Sequence, residues 1–320
     1  MKGTSIMSDL CVLGEYLIDF TPQGLSERGL PLYAQNPGGA PANVACAAAK
    51  LGATSAVITK ISTDPLGNFL YEYIKGLGIV DLRGVRRSND PTGLAFVTLN
   101  AEGDRDFVFY RDHCADAMLS CDDIDLSLID ECKVFHFSSV SLVAEESRAA
   151  TVFAVQEAKK RGKTVSFDIN YRALLWNDEE KAKAEVEKVL PLADLIKVSE
   201  EEAVLFGGSL EEAPAYFMSF GAKVVLVTLG ADGSCFYTKD ASATVPTFPV
   251  KTLDTTGAGD NFMGAFLAWI IKNGAPVEQL SQDELREALR YANAAGAICA
   301  SRYGAIDGQA TPEDIAAFLG

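Results

Sequence analysis

Asp254-Thr255-Thr256-Gly257-Ala258-Gly259-Asp260 is the stretch of this chain whose residue types and spacing point most directly to chemistry. The residues after it, Asn261 to Lys272, have a helical pattern in which Phe262, Phe266, Trp269 and Ile270 share one apolar face. The small residues therefore sit at a helix N-terminus, where unpaired N–H groups and the positive end of the helix dipole face outward. Gly257, Ala258 and Gly259 let an anion approach that backbone. Asp260 adds a carboxylate at the edge of the anion pocket. A like charge there disfavours simple phosphate binding, but it suits a base that takes the proton of a nucleophile attacking the phosphate. The same residues also read as a turn with an acidic helix start. A dinucleotide fingerprint fails because position 262 is Phe, and no Gly-Lys-Ser/Thr follows to complete a Walker A loop.

A second small-residue motif, Pro37-Gly38-Gly39-Ala40-Pro41-Ala42-Asn43-Val44-Ala45, lies near the other end of the chain. The two motifs, in this order, resemble the N-terminal and C-terminal signatures of the ribokinase-like (PfkB) carbohydrate kinases, and the resemblance spans essentially all 320 residues. Phe107-Val108-Phe109-Tyr110-Arg111, Asp168-Ile169-Asn170-Tyr171-Arg172 with Trp176, and Ser199-Glu200-Glu201-Glu202 are similar to the fructokinase branch. The resemblance implies an ATP- and Mg²⁺-dependent kinase acting on a sugar hydroxyl, with D-fructose the expected substrate. The rival substrates within the family are 2-keto-3-deoxygluconate, ribose and nucleosides. A different class of rival is a non-catalytic sugar-binding regulator on the same scaffold.

The elements that must position these residues read as an α/β chain. Leu10–Gly14, Ala56–Ile61, Val134–Val140, Thr164–Ile169, Leu195–Val198 and Val224–Leu229 read as buried strands. Between them Ala42–Leu51, Pro65–Leu77, Ser147–Arg161, Glu179–Leu190 and Glu200–Phe206 read as helices. This alternation predicts a three-layer α/β/α fold around a mostly parallel sheet, with ligands beyond the C-terminal strand ends. Two segments, about 15–37 and 90–112, break the rhythm; the second is a hairpin turning at Ala101-Glu102-Gly103-Asp104. They read as edge strands of the main sheet or, following the resemblance, as a small β lid over the sugar on a single kinase domain of residues 1–320. Ser234–Thr238 and Thr244–Val250 read as a further hairpin on the nucleotide side.

Read through the resemblance, Asp260 is the general base, and Gly257, Ala258 and Gly259 form the anion hole. The ordinary aspartate pKa of about 3.9 makes Asp260 a weak base at rest. The sugar would be held by Asp19, Gly38, Gly39, Asn43, Arg111, Asn170 and Arg172. Residue types alone leave Asp19 as a turn residue, Gly38-Gly39 as a helix-start turn and Arg111 as a solvated strand charge. The nucleotide would meet Lys197, Ser199, Thr228, Gly230, Asp232 and Gly233, besides Gly257 and Gly259, with Asn293 and Gly296 bordering the adenine. The family's Asn-x-x-Glu motif organises Mg²⁺ through water; here Ser199 replaces the Asn, leaving Glu202, which also reads as part of an acidic helix start. A monovalent cation such as K⁺ is implied near Asp254, Thr256, Cys299, Arg302 and Gly304.

Composition narrows the rest. Hydrophobic residues make up 48% of the chain and charged residues 22%, as in globular proteins. A net charge of −16 argues against nucleic acids and anionic membranes as partners. It also requires local Lys, Arg, Mg²⁺ and N–H groups to meet a nucleotide. No apolar run is long enough to span a bilayer, and no signal-peptide plan precedes Leu10. Seven scattered cysteines suggest reduced thiols and a cytoplasmic location; Cys114 and Cys121 with His113 match no zinc spacing. The resemblance also allows a homodimer formed through exposed lid strands, which the sequence itself does not fix.

Overall fold

The computed structural model describes residues 8–99 and 105–320. Its strands are β1 (Leu10–Leu13), β2 (Leu17–Leu25), β3 (Pro31–Gly38), β4 (Ser55–Ser62), β5 (Val80–Asp81), β6 (Val85–Ser88), β7 (Leu94–Leu99), β8 (Arg105–Tyr110), β9 (Val134–Ser138), β10 (Thr164–Asp168), β11 (Leu195–Ser199), β12 (Val224–Thr228), β13 (Ser234–Tyr237) and β14 (Ser242–Val245). The main sheet runs β14-β13-β12-β11-β10-β9-β1-β4-β5, with β6 also paired to β4. From β12 to β5 every pairing is parallel; β13 and β14 close the edge antiparallel.

Alternating side chains send each strand into two cores. Leu10 and Val12 point toward helices Ala40–Lys50, Ala258–Asn273 and Gln282–Ala300. Cys11, Leu13, Phe135, Phe137 and Phe167 point toward helices Glu145–Lys160, Glu179–Val189 and Glu200–Gly207. The rings of Phe137 and Phe167 stack at 4.4 Å between centroids. The expected α/β/α layering is thus present.

The irregular segments form a separate four-stranded sheet, β3-β2-β7-β8. Its β2–β7 pairing is parallel and the other two are antiparallel. Asp19 lies inside β2 rather than in a turn, because β2 continues to Leu25. The turn Ala101–Asp104 of the expected hairpin lies outside the described residues. The hairpin expected at 234–250 is shorter than its pattern: β14 ends at Val245, where Pro246 removes the next ladder donor.

Helix Ala258–Asn273 also departs from its one-faced pattern. It is buried on nearly every side, because helix Ala40–Lys50 crosses it at close range. A Cβ at Gly264 would stand 2.6 Å from Ala47 Cβ and 2.8 Å from the Val44 carbonyl oxygen. The run of alanines between 42 and 49 serves this crossing. One helical turn earlier on both helices stand Asn43 and Asp260, so the crossing brings those two side chains together.

Candidate active site

A cavity of about 810 Å³ opens at the C-terminal ends of the parallel strands, between the main sheet and the small one. Its wall includes Asp19, Gly39, Asn43, Gly259 and Asp260, together with Asn170, Arg172, Lys197 and Glu202. Residues from opposite ends of the chain therefore share one chamber.

Asp260 is partly buried on the first turn of helix Ala258–Asn273, and its Oδ2 accepts a 2.8 Å hydrogen bond from Asn43 Nδ2. Burial raises its pKa, while Asn43, Lys197 and Arg172 act to lower it. The structure thereby corrects the weak-base expectation: the carboxylate is a better proton acceptor than a free Asp. Gly257 begins the helix at φ 75°, where a Cβ would meet Ala305 Cβ at 2.5 Å. Glycine is required there by both backbone and space.

Asp19 is partly buried on the chamber wall, and its pKa is raised to about 7, first by desolvation and then by the nearby Asp260 charge. Two carboxylates thus face one chamber and repel each other. Gly38 makes room for this: a Cβ at Gly38 would fall on Asp19 Oδ2. Gly38 does not itself line the cavity, whereas Gly39 does. Gly39 caps helix Ala40–Lys50 at φ 116°, and a Cβ there would fall on the Glu15 carbonyl.

Asn170 is buried in the left-handed region at φ 42°, a conformation Asn tolerates. Arg172 is exposed at the rim, and its charge acts on Asp19, Asp168 and Asp260. Lys197 is buried and faces Asp168, with 3.2 Å from Nζ to each carboxylate oxygen. Burial disfavours its ammonium, but Asp168, Glu202 and Asp260 outweigh that and raise its pKa. Its Nζ lies 3.4 Å from where a Cβ of Gly259 would stand, so the ammonium rests against the helix N-terminus. His136, buried behind it, is held neutral, its pKa lowered to about 3 by burial and by Lys197.

Several expected ligands are turned elsewhere. Arg111 does not line the cavity; its guanidinium pairs with buried Asp116, and its charge acts on Glu15 from behind the chamber wall. Glu202 does line it, but as half of a capping box. Its Oε2 accepts from Ser199 N at 2.8 Å, its Oε1 from Tyr171 N at 2.6 Å, and Ser199 Oγ accepts from Glu202 N. Asn293 is a staple rather than a free side chain. Its Oδ1 accepts from Ser234 Oγ, and its Nδ2 donates to the Val245 and Pro246 carbonyls. Its hydrogen-bonding capacity is spent tying β13 and β14 to helix Gln282–Ala300. Thr228 at the end of β12 and Gly230, Asp232 and Gly233 on the turn to β13 lie outside the cavity, with Gly230 and Gly233 at positive φ.

Around the proposed cation position, Asp254 is a hub. Its Oδ1 accepts from Thr256 N at 2.8 Å and its Oδ2 from Gly304 N at 3.3 Å. Cys299 Sγ reaches the Thr256 carbonyl oxygen at 3.6 Å. Arg302 turns away to Asp314, at 2.8 Å. Among the described residues, no group of three or more His, Cys, Asp or Glu is placed to hold a metal ion. Of the chamber's carboxylates, Glu15, Glu202 and Asp260 each accept a hydrogen bond from the protein.

One residue escaped sequence reasoning. Glu15 accepts from Ala40 N at 2.9 Å, fixing the start of the helix that carries Asn43. It lines the chamber, burial raises its pKa to about 7, and its Oε2 has no protein partner. The signal was weak, since Glu15 stands at the start of the strand-like segment from 15 to 37, where nothing in its type marks a site.

Residues 7–312 match the family model described as pfkB family carbohydrate kinase. The chain belongs to this family. It is thus a phosphotransferase that uses an alcohol group of a carbohydrate as acceptor. Fructokinase-2 of Oryza sativa subsp. japonica is 41% identical over 298 residues, covering 92% of this chain and 88% of that protein. Fructokinase-1 of Zea mays is 39% identical, with 94% of each covered. Among solved structures, the fructokinase of Vibrio cholerae O395 in its fructose-, ADP- and calcium-bound form superposes with a TM-score of 0.87 at 32% identity, covering 98% of this chain and 99% of that one. A putative ribokinase II from E. coli in complex with ATP and Mg²⁺ superposes with a TM-score of 0.85 at 30% identity, over 98% and 99% of the two chains. No helix among the described residues of this kinase is long and apolar enough to cross a membrane.

Proposed function

We propose that this kinase transfers the γ-phosphate of ATP to the 6-hydroxyl of D-fructose. One observation carries the reading: the 2.8 Å bond from Asn43 to Asp260 joins the Gly38-Gly39 helix to the Gly257–Gly259 helix in a single chamber. The paired hydroxyls of the sugar would be held by Asp19, by Asn43 Oδ1, which has no protein partner, and by Asn170. The 6-oxygen forms its bond to the γ-phosphorus while the bond to the ADP oxygen breaks, leaving its electron pair on ADP. The hydroxyl proton passes to Asp260. The N–H groups at Gly257–Asp260, with Lys197 and Arg172, meet the charge on the moving phosphoryl group. Mg²⁺ comes with ATP, held by phosphate oxygens and water. Direct Mg²⁺ ligation by Glu202 is not part of this reading, given its capping bonds; Thr228, Gly230, Asp232 and Gly233 would guide the nucleotide beyond the chamber.

The fructokinase names of the relatives support fructose, as does the state of Arg111. A keto-acid substrate needs a cation for its carboxylate, and Arg111 is already neutralised by Asp116. A coupled assay with ATP over fructose, ribose, tagatose, glucose, 2-keto-3-deoxygluconate and adenosine tests this. Fructose should show the highest kcat/KM; preference for the keto-acid or adenosine refutes the substrate. Asp260→Asn should lower kcat by at least about 10²-fold with sugar binding retained; near-wild-type turnover refutes its role as base.

Assembly and ion binding belong to the same proposal. The small sheet exposes Leu25, Leu32, Tyr33, Val108 and Tyr110, which supports its pairing with a second copy, checked by sedimentation. The carbonyls near Thr256, Cys299 and Gly304 would take K⁺, checked by exchanging K⁺ for tetramethylammonium in the assay. All seven cysteines are free, which supports a reducing, cytoplasmic setting. Residues 1–320 would act as one kinase unit with the small sheet as lid.

A further inference from the structure

We propose that Asp168 is a positioning residue for phosphoryl transfer: its two contacts to Lys197 hold that ammonium against the N-terminus of helix Ala258–Asn273. The inference rests on the kinase reading above and goes beyond it by assigning work to a carboxylate that does not line the chamber.

The geometry comes from neighbouring strands. Asp168 ends β10 and is the register partner of Lys197 on β11, so both side chains leave the same face of the sheet side by side. Asp168 is 1% exposed and Lys197 6% exposed, and only the lysine reaches the cavity wall. A lysine is long and flexible, and a buried one needs a partner to stay charged and to stay in place. The two equal 3.2 Å contacts supply both. Gly259 completes the arrangement, since a larger residue would press on Nζ at 3.4 Å.

Energetics argue that the pair is not simply core packing. Burying two opposite charges side by side gains little over an apolar pair of similar volume. Here the charge stands where three phosphate oxygens would arrive. The groups facing Lys197 are Asp168 on β10, His136 on β9, Glu202 on helix Glu200–Gly207 and Asp260 on helix Ala258–Asn273. His136 is neutral, and Glu202 is committed to its capping bonds. Of these four described residues, only Asp168 has a direct contact with Nζ. When the sugar oxygen bonds to the γ-phosphorus and the ADP oxygen departs with its electron pair, Lys197 needs no reorganisation to meet that charge.

The test is a mutant cycle run with whichever sugar the wild type turns over best. Failure of the fructose reading would appear in the wild type as a different preferred sugar and would leave the cycle intact. Asp168→Asn should lower kcat at pH 7 by about 10²-fold, the scale of losing one preorganised charge donor. Sugar KM should stay within about threefold. Without Asp168, burial favours the neutral amine, so the kcat and ATP affinity of this variant should fall further from pH 7 to pH 9, unlike the wild type. ATP affinity is read by calorimetry, independently of any sugar. Lys197→Met should be equally impaired but without that alkaline fall. Asp168→Asn combined with Lys197→Met should be no worse than Lys197→Met alone. Near-wild-type kcat for Asp168→Asn, or a flat alkaline profile for it, overturns the proposal. So does a double variant about tenfold below Lys197→Met. Should Asp168→Asn not fold, the double variant against Lys197→Met decides, because that pair leaves no unpaired lysine.

Discussion

Replacing Asn43 by Ala isolates the contact that joins the two helices. Asn43 is 3% exposed, and its Nδ2 donates to Asp260 Oδ2 at 2.8 Å. The substitution leaves the helix backbone and the bond from Gln309 Nε2 to the Asn43 carbonyl in place. What is lost at Asp260 is one hydrogen bond to a partly buried carboxylate, about 1.5–3 kcal/mol for a charged acceptor. The proposed sugar contact of Asn43 Oδ1 is lost with it and lowers kcat/KM at every pH without moving its acid limb. The bond to Asp260 stabilises only the ionised form of that carboxylate. At 1.36 kcal/mol per pH unit, its loss corresponds to about one to two units, and water entering the vacated space favours the lower figure. Asp260 works as a carboxylate, burial already raises its pKa, and Asn43 is the leading influence that lowers it. Asn43→Ala therefore moves the acid limb of kcat/KM upward by about one unit, so activity is lost at a higher pH as the solution is acidified. Steady-state ADP release measured from pH 5 to 9 reads the limb directly. A limb that stays in place or moves to lower pH would refute the assignment of Asp260 as base, of Asn43 as its partner, or both.

Two further substitutions separate function from stability. Asp19→Asn should weaken sugar binding while raising the melting temperature at pH 8. The folded-state pKa of about 7 lies above the ordinary carboxylate range, so the fold carries a charge penalty above pH 7 that fades as Asp19 protonates. The thermal gain should therefore shrink between pH 8 and pH 5; a gain that is equal or larger at pH 5, or a loss at pH 8, refutes it. Gly38→Ala should raise the sugar KM by at least about tenfold, because the new methyl displaces Asp19 Oδ2, with the ATP KM nearly unchanged. An unchanged sugar KM would show that the Asp19 carboxylate does not hold the sugar.

Local physics made much of this molecule legible from its residues. Strands with continuous apolar runs, such as Leu10–Leu13 and Val224–Val227, can only be buried on both faces, and helices between them force parallel crossovers. The glycines and the Asp of Gly257–Asp260 announce a helix N-terminus that can receive an anion, because that property belongs to the helix itself. What a polar side chain does with its second half depends on who stands opposite, and only the tertiary structure decides that. Arg111 meets Asp116 five residues away, Asn293 meets β14 across 48 residues, and Glu202 closes on the backbone of Tyr171. Each looked like a ligand by type and is a partner by placement. Glu15 and Asp168 show the converse. Asp168 is legible only as a member of the fructokinase-like run and Glu15 only as part of a strand-like segment, yet one faces Lys197 on the next strand and the other fixes the helix that holds Asn43. The pKa values that matter follow the same division. An exposed Asp is acidic by its own chemistry, but the raised values of Asp19 and Asp260 come from burial in one chamber, which exists only once helices from opposite ends of the chain cross at Ala47 and Gly264.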